Sequence, residues 1–314
     1  MVDIIELRSR ANAGDPQAQG ALAYAMLADK RGPQSAAEAV RLLRGVAARG
    51  HPDACHLLAA LSVLGIGCPR RLDDAYNFVK EAAALGDPNA QAQLDVLGRD
   101  GLIKEPWVKP IHLEQLAEAP RISMVRKFLP RTVCDWLIKI AERRLQPSVV
   151  YDAKSASLIA HPIRTSESAS FRSLEPDLMT LLVARRIASA VGLPIEHQEA
   201  NNVLRYGVGQ EYRPHFDFIR PGADAEAFGA ELAAYGQRVV TVLIYLNDDY
   251  VGGETAFPLI DMRFKGKAGD ALIFWSVTEA GELERLSWHA GLPVTKGEKW
   301  LLSKWIRQRP VALF

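Results

Sequence analysis

The sequence predicts an α+β protein with more than one domain, in which an N-terminal α-helical repeat solenoid precedes a double-stranded β-helix (jelly roll) with supporting helices. Two observations predict this fold class. The first hundred residues contain Gly-x-Pro triplets that recur every 36 residues. The later part of the chain has two apolar helical patterns and then several short β-branched strands. We place the repeat domain at 1–98, a linker at 99–120 and the β domain at 121–314.

The Gly-x-Pro triplets begin at Gly14, Gly50 and Gly86. In each triplet the glycine is suited to end one helix in a left-handed conformation, and the proline to begin the next helix in its first turn. The residues that follow have the i, i+4, i+7 spacing of a buried stripe. Its members are Ala18, Leu22 and Ala25 in the first copy and Ala54, Leu58 and Leu61 in the second.

These helical units resemble Sel1-like repeats, which are relatives of the tetratricopeptide repeat. Such arrays usually present a concave face to partner proteins. Three roles stay open for so short an array: it recruits a protein partner, it forms a homodimer interface, or it only supports the β domain.

The regular pattern lapses between the two domains, and the linker is placed there because glycine and proline interrupt it. The interrupting residues are Gly101, Pro106, Pro110 and Pro120. Beyond them, residues 133–140 and 178–191 have helical apolar periodicity. Runs rich in β-branched and aromatic residues predict strands at 203–206, 239–246, 271–274 and 300–306.

His215 and Asp217 are two residues apart, and another histidine follows at His289. Residues i and i+2 of a strand lie on the same face, so this pair can present an imidazole and a carboxylate side by side. Two histidines and one carboxylate on one face of a metal are the ligands of non-haem Fe(II) oxygenases. The sequence therefore predicts an Fe(II) site at these three residues. The stretch 219–236 comes directly after Asp217 and is predicted to be a loop over the site.

Lys299 shares a predicted strand face with Ser303 and Trp305, because a strand has a period of two. If this face lines the metal cavity, Lys299 is a buried cation that needs an anion there. A dicarboxylic co-substrate would supply one. The keto acid of 2-oxoglutarate can chelate the iron while its distal carboxylate reaches the lysine and a nearby hydroxyl.

From about residue 121 to 310, the chain resembles the prolyl 4-hydroxylase branch of the Fe(II)/2-oxoglutarate oxygenases. The motifs that carry the resemblance stand in the family's order. They are Arg164-Thr165-Ser166, Glu199, Leu204-Arg205-Tyr206-Gly207, Gln237-Arg238-Val239-Val240-Thr241, Tyr245-Leu246-Asn247, Gly252-Gly253-Glu254-Thr255 and His289-Ala290-Gly291.

The resemblance implies a role for particular residues of this chain. His215, Asp217 and His289 are expected to bind iron, and Lys299 to pair with the distal carboxylate of 2-oxoglutarate; these four form the catalytic set. Tyr206 matches the tyrosine that hydrogen-bonds the co-substrate. By strand parity rather than by the resemblance, Tyr245, Thr241 and Ser303 are expected to face the same cavity and contact the co-substrate. Residues that match peptide-contacting or groove-shaping positions of the family are Arg164, Ser166, Glu199, Tyr212, Arg238 and Trp305.

The implied cofactors are Fe(II), 2-oxoglutarate and dioxygen, with ascorbate as a reductant. The implied reaction is hydroxylation of the substrate, coupled to conversion of 2-oxoglutarate into succinate and carbon dioxide. Asp217 favours hydroxylation, because family members that halogenate lack this carboxylate.

Some of these residues have simpler explanations. Glu199 and Arg164 would form an ion pair that braces the mouth of the barrel. Trp305 and Tyr245 would be core aromatics, and Arg238 a solvated strand end. The remaining histidines form no ligand pattern and are expected at the surface or in loops; they are His51, His56, His112, His161 and His197.

Composition narrows the class of protein further. The chain has 314 residues, which suffice for two domains with cores. Its 38 lysines and arginines nearly balance 37 acidic residues, for a net charge of +1, so no broad basic surface is expected for nucleic acid or membrane. Three cysteines form no CxxC pair, and no secretion signal or membrane-length apolar run is present. We expect a cytoplasmic protein that binds neither nucleic acid nor membranes.

These observations predict a hydroxylase of prolyl residues in a protein or peptide, which the repeats recruit in part. The alternatives are a hydroxylase of a free amino acid or other small metabolite, and a repeat-based adaptor with an unused oxygenase domain. The complete ligand set, with Tyr206 and Lys299, argues against the adaptor. Tyr212, Arg238 and Trp305 favour a peptide over a metabolite.

Overall fold

The structure is a computed structural model that describes residues 4–28, 33–98, 107, 110–152, 157–160, 163–171, 177–220 and 225–311. The chain divides into two compact units. The first consists of residues up to Lys109 together with Leu174–Arg186, and the second of Pro110–Ser173 and Ile187–Leu313. The boundaries predicted at 98 and 121 stay a prediction. Residues 114–117 of the predicted linker form a strand.

The N-terminal part is helical. Its helices are α1 (Ile4–Asn12), α2 (Pro16–Ala28), α3 (Pro33–Ala47), α4 (Pro52–Leu64), α5 (Leu72–Ala84) and α6 (Pro88–Leu97). The helices α2, α4 and α6 begin at the three prolines of the repeated triplets. Each triplet glycine has a positive φ, 93° at Gly14, 86° at Gly50 and 85° at Gly86, which is the conformation glycine tolerates best. The triplets therefore mark helix starts, as predicted.

The predicted apolar stripe is buried except at one position. Ala18, Leu22, Ala54, Leu58 and Leu61 belong to the core, whereas Ala25 is half-buried.

His56 is a correction to the expectation of a surface or loop position. It is buried on α4, where its Nε2 lies 2.9 Å from Asp87 Oδ1. Asp87 also caps α6 by accepting a hydrogen bond from the Ala90 backbone N–H. A buried histidine is stable when its polar atoms are hydrogen-bonded. The polarity of His56 was therefore not sufficient to predict an exposed position.

In the described residues, the second unit contains antiparallel strands, two helices and the end of a third helix. The strands are β1 (Glu114–Ala117), β2 (Ile122–Val125), β3 (Gln146–Pro147), β4 (Val149–Asp152), β5 (Ser157–Ala160), β6 (Glu167–Phe171), β7 (Asn201–Tyr206), β8 (Tyr212–His215), β9 (Arg238–Tyr245), β10 (Val251–Gly252), β11 (Thr255–Phe257), β12 (Met262–Phe264), β13 (Ala271–Trp275), β14 (His289–Gly291), β15 (Val294–Lys296) and β16 (Lys299–Arg307). The helices are α7 (Arg131–Glu142), α9 (Ala225–Tyr235) and the end of α8 (Leu178–Val191), whose residues up to Arg186 belong to the first unit.

Two sheets of this unit position the site. The larger has the strand order β1-β2-β13-β9-β16-β7-β6-β3, and the smaller the order β12-β11-β14-β8. Side chains from both sheets meet in one apolar cluster, where Phe257 of β11 packs against Phe274 of β13 with ring centroids 5.3 Å apart. N-terminal helices followed by an antiparallel β domain confirm the predicted order of the fold.

Most predicted elements of the β domain are present. Helices α7 and α8 occupy the two predicted helical segments, and β7, β9, β13 and β16 the predicted strands.

The predicted loop at 219–236 is wrong in part, because residues 225–235 form α9. The segment is rich in alanine, which is the strongest helix former. Gly236, with φ 73°, follows the helix. The Gln237 side chain links the two ends of the segment. Its Oε1 accepts from the Ile219 N–H at 2.6 Å, and its Nε2 donates to the Ile219 carbonyl at 2.8 Å. Among the described helices, none has the length and apolar character needed to cross a membrane.

Lys304 lies on the face of β16 opposite to Lys299 and is 1% exposed. Burial lowers the pKa of Lys304 from 10.5 to about 7, although Glu199 acts in the other direction. Between these two pKa values the unfolded chain binds more protons than the folded one, so stability should rise with pH from about 7 to 10.5. The slope from one such group is at most ~1.4 kcal/mol per pH unit.

We therefore expect Lys304→Met to raise the free energy of unfolding at pH 7 and to reduce its increase at higher pH. Urea titrations at a series of pH values measure both effects. Lys296→Met, at an exposed position of β15, is the matched control. Equal pH slopes for Lys304→Met and the wild type would mean that Lys304 stays charged in the folded protein.

Candidate active site

The three predicted metal ligands lie together in the second unit. His215 ends β8 and stands directly opposite His289 of β14 in the antiparallel register, and Asp217 follows two residues after His215. One ligand atom from each of the three lies within 4.8 Å of the others. Nε2 of His215 is 3.6 Å from Asp217 Oδ1, and Nε2 of His289 is 3.5 Å from Asp217 Oδ2. Strand pairing therefore brings the two histidines together, and Asp217 lies beside them.

Hydrogen bonds orient both imidazoles for metal binding. His215 Nδ1 lies 2.8 Å from the Arg213 carbonyl, and His289 Nδ1 lies 2.9 Å from the Ser287 carbonyl. A carbonyl only accepts, so each Nδ1 carries a proton, and Nε2 is the ring atom that faces Asp217 and would bind a metal. Burial, together with His215, lowers the pKa of His289 from 6.5 to about 4.

Asp217 is held as a carboxylate. Burial opposes its ionisation, but the two histidines and a hydrogen bond from Thr241 outweigh burial and hold the pKa of Asp217 below its usual range. Two imidazoles and a carboxylate, all buried, are the donor set that suits non-haem Fe(II). The residues present therefore fit the iron that the sequence predicts.

Lys299 is buried near these ligands, at 2% exposure. It stands opposite Tyr206 in the pairing of β16 with β7, and its Nζ donates to the Gly253 carbonyl at 2.7 Å. Burial lowers the pKa of Lys299 from 10.5 to about 7, with Glu254 acting in the other direction. An ammonium group has three donors, and within the described residues this carbonyl is the acceptor it meets. Lys299 therefore has the capacity to bind a carboxylate.

One cavity connects the metal ligands with Lys299. Most of the predicted site residues line it: His215, Asp217, His289, Lys299, Tyr206, Ser303, Arg164, Tyr212 and Trp305. Five predicted residues lie outside its lining: Thr241, Tyr245, Ser166, Glu199 and Arg238.

Three of these five contact residues of the cavity wall. Thr241 Oγ1 donates to Asp217 Oδ2 at 2.6 Å. The Tyr245 hydroxyl lies 2.8 Å from Thr255 Oγ1. Ser166 hydrogen-bonds Tyr206. Thr241 and Tyr245 lie on the side of the sheet that strand parity predicted, but all three residues act on the cavity through a second side chain.

The other two form an ion pair at the cavity edge. Arg238 makes two hydrogen bonds to Glu199, at 2.7 and 3.0 Å, and Arg307 also pairs with Glu199 at 2.5 Å. The Arg238 guanidinium lies 3.8 Å above the centre of the Trp305 ring. The alternative pairing of Glu199 with Arg164 is therefore wrong, and so is a solvated Arg238.

Arg164, Tyr212 and His215 form a stack. The guanidinium carbon of Arg164 lies 5.4 Å from the centre of the Tyr212 ring. The Tyr212 ring stacks on His215, with centroids 3.5 Å apart and planes 18° apart. A predicted substrate residue thus rests directly on a predicted metal ligand.

Thr255 is a cavity residue that sequence reasoning did not single out. It lines the cavity from β11 and is oriented by Tyr245. The signal was present in the motif Gly252-Gly253-Glu254-Thr255, next to the Gly253 carbonyl that Lys299 binds. Without the register of β11, the threonine could not be assigned to the cavity.

An antiparallel β domain that holds two histidines, a carboxylate and a buried lysine in one cavity defines the class of Fe(II) oxygenases with a dicarboxylate co-substrate. Comparison with known proteins agrees. The sequence profile of the 2OG-Fe(II) oxygenase superfamily matches residues 201–307. The chain is 38% identical to prolyl 4-hydroxylase 1 of Arabidopsis thaliana over 268 residues, 79% of this chain and 91% of the relative.

Another similar protein is probable prolyl 4-hydroxylase 10 of Arabidopsis thaliana, 34% identical over 67% of this chain and 75% of the relative. Among solved structures, the 2OG complex of the viral collagen prolyl hydroxylase from Paramecium bursaria Chlorella virus-1 has a TM-score of 0.46, with 26% identity over 59% of this chain and 95% of that chain. This chain belongs to the prolyl 4-hydroxylase family of the 2OG-Fe(II) oxygenases. The family resemblance, the class of enzyme and the cofactors Fe(II), 2-oxoglutarate and dioxygen are thereby confirmed.

Proposed function

We propose that this enzyme hydroxylates prolyl residues of a protein or peptide. The observation that supports the proposal most is a single cavity, lined at one end by the three metal ligands and Lys299 and elsewhere by Arg164, Tyr212 and Trp305. The relatives at 34 and 38% identity are named as prolyl 4-hydroxylases, which favours proline as the acceptor.

In this proposal, His215, Asp217 and His289 hold Fe(II), which supplies the oxidative chemistry when it is bound with 2-oxoglutarate and dioxygen. Lys299 binds the distal carboxylate of 2-oxoglutarate by a charge-assisted hydrogen bond. The Tyr206 and Thr255 hydroxyls and Ser303 complete the co-substrate end of the cavity. Apolar neighbours such as Leu243 and Leu301 exclude water from it.

The substrate side is proposed to consist of the Arg164–Tyr212 stack and the Trp305–Arg238–Glu199 group. Planar aromatic and guanidinium surfaces suit the flat, rigid ring of proline and the backbone beside it. Because the carboxylate of Glu199 balances the charge of Arg238, this group would offer the substrate a planar contact surface rather than a free charge. Ser166 is proposed to act indirectly, by holding Tyr206.

The test of this function is the incubation of the purified enzyme with Fe(II), 2-oxoglutarate, ascorbate and proline-containing peptides. Mass spectrometry should find a gain of one oxygen on a prolyl residue, with one succinate formed per hydroxylation. Free proline and peptides with alanine in place of proline serve as controls. Equal turnover of free proline would favour the metabolite alternative, and oxidation of another residue would overturn the assignment of the acceptor.

We also propose the finer features that the sequence predicts. The helices α1–α6 form a Sel1-like repeat solenoid, supported by the 36-residue spacing of the helix starts, and the two facing sheets form a jelly roll. The enzyme is cytoplasmic, uses ascorbate as a reductant, and recruits its protein substrate in part through the repeats. A homodimer interface is the other proposed use of the repeats.

If the repeats recruit the substrate, a full-length target should have a KM at least about tenfold below that of a short peptide with the same acceptor site. Tethering raises the effective concentration of the acceptor without altering the chemical step, so kcat should be equal for both. Steady-state kinetics on target and peptide measure this. Equal KM values would mean that the repeats take no part in recruitment, and a dimer by light scattering would favour the interface role.

A further inference from the structure

Asp217 differs from the two histidine ligands in how the fold holds it. His215 and His289 lie on paired strands, and their register fixes the two imidazoles opposite each other. Asp217 lies beyond the end of β8, so no strand pairing fixes the orientation of its carboxylate. A carboxylate in such a position can rotate and present one oxygen or both.

Thr241 restrains this rotation from the other sheet. It lies in the middle of β9, between Phe274 of β13 and Trp305 of β16, and its side chain is fully buried. Its hydroxyl donates to Asp217 Oδ2 at 2.6 Å, a short distance typical of a hydrogen bond to a charged oxygen. A hydrogen bond thus links β9 of the larger sheet to Asp217, which follows β8 of the smaller sheet.

The two oxygens of Asp217 are therefore not equivalent. Oδ2 accepts the Thr241 hydroxyl and also lies 3.5 Å from His289 Nε2, whereas Oδ1 lies 3.6 Å from His215 Nε2. Rotation of the carboxylate out of this orientation would break the bond to Thr241.

Strand parity predicted that Thr241 contacts 2-oxoglutarate. The structure favours a different role, because Thr241 is absent from the cavity lining, whereas Leu243, two residues further on the same face of β9, is part of it. The hydroxyl of Thr241 is already used by Asp217.

We propose that Thr241 is a positioning residue that fixes the orientation of the Asp217 carboxylate beside the two imidazoles with which it would hold the metal. The inference rests on the proposed metal site.

Three variants and a metal titration test this role. Thr241→Val keeps the shape of the side chain and removes the hydroxyl, and Thr241→Ser keeps the hydroxyl. Thr295→Val, at an exposed position of β15, is the matched control. Calorimetry with Mn²⁺ and Co²⁺ on the metal-free full-length proteins gives the affinity, and the visible spectrum of the Co²⁺ proteins reports the coordination.

We expect Thr241→Val to bind both metals about tenfold or more weakly, as loss of an outer hydrogen bond to a ligand usually does, and to change the Co²⁺ spectrum. Its kcat should fall while its KM for 2-oxoglutarate stays within about twofold. Thr241→Ser should restore affinity, spectrum and kcat, and Thr295→Val should match the wild type. The melting temperatures of the metal-free proteins separate these effects from loss of folding.

An unchanged affinity and Co²⁺ spectrum in folded Thr241→Val would overturn the inference and leave the metal site standing. A raised KM for 2-oxoglutarate with normal metal affinity would overturn it in favour of direct co-substrate binding. A wild-type protein that binds neither metal, under conditions in which it is folded, would overturn both the inference and the proposed metal site.

Discussion

His215→Ala and His289→Ala are each expected to abolish iron binding and hydroxylation. Each removes one of three protein ligands, and each leaves Asp217 as a buried carboxylate with one imidazole neighbour fewer. Among the described residues, His215, Asp217 and His289 are the group with metal-binding potential. The described part of the chain therefore offers no further side chain of such a group to replace a ligand that has been removed. Asp217→Ala should abolish hydroxylation as well.

Anaerobic addition of Fe(II) and 2-oxoglutarate to the wild type should produce a visible metal-to-ligand charge-transfer band, which the variants should lack. His51→Ala, which replaces an exposed histidine before α4, should keep both the band and the activity. The same band in His215→Ala as in the wild type would show that the metal is bound elsewhere.

The clustering of the three candidate metal ligands could be predicted because its determinants are local or need one strand pairing. His215 and Asp217 are close in sequence, and the position of His289 follows from the antiparallel register of β14 with β8. Lys299 could be predicted because a lysine within an apolar strand needs an anion wherever that strand is buried. The Gly-x-Pro triplets similarly predicted where α2, α4 and α6 begin, since glycine and proline act on the backbone alone.

The surroundings of the site could not be predicted in the same way. Strand parity gave the side of the sheet for Thr241 and Tyr245, but not which side chain each would meet. Glu199 had several possible arginine partners, and only the folded strands place Arg238 and Arg307 beside it. Such contacts depend on distances between chain segments far apart in sequence, which no local pattern contains.

Lys299→Ala is expected to raise the KM for 2-oxoglutarate by at least roughly tenfold, because a charge-assisted contact of about 1.5 to 3 kcal/mol is lost. Tyr206→Phe should have a milder effect in the same direction. Lys296→Ala, exposed on β15, should leave the KM unchanged. Steady-state kinetics with 2-oxoglutarate as the varied component measure all three, and an unchanged KM in Lys299→Ala would mean that this lysine does not bind the co-substrate.

The pH dependence of 2-oxoglutarate binding tests the same contact by an independent route. In the free enzyme, burial lowers the pKa of Lys299 to about 7, so raising the pH above 7 removes the charge that the distal carboxylate requires. The dissociation constant should therefore increase up to about tenfold per pH unit above that value. Lys299→Arg keeps a charge at every accessible pH, and whatever its affinity at pH 7, this increase should be absent. A wild-type dissociation constant that stays level from pH 7 to 9 would mean that Lys299 remains an ammonium group before the co-substrate arrives.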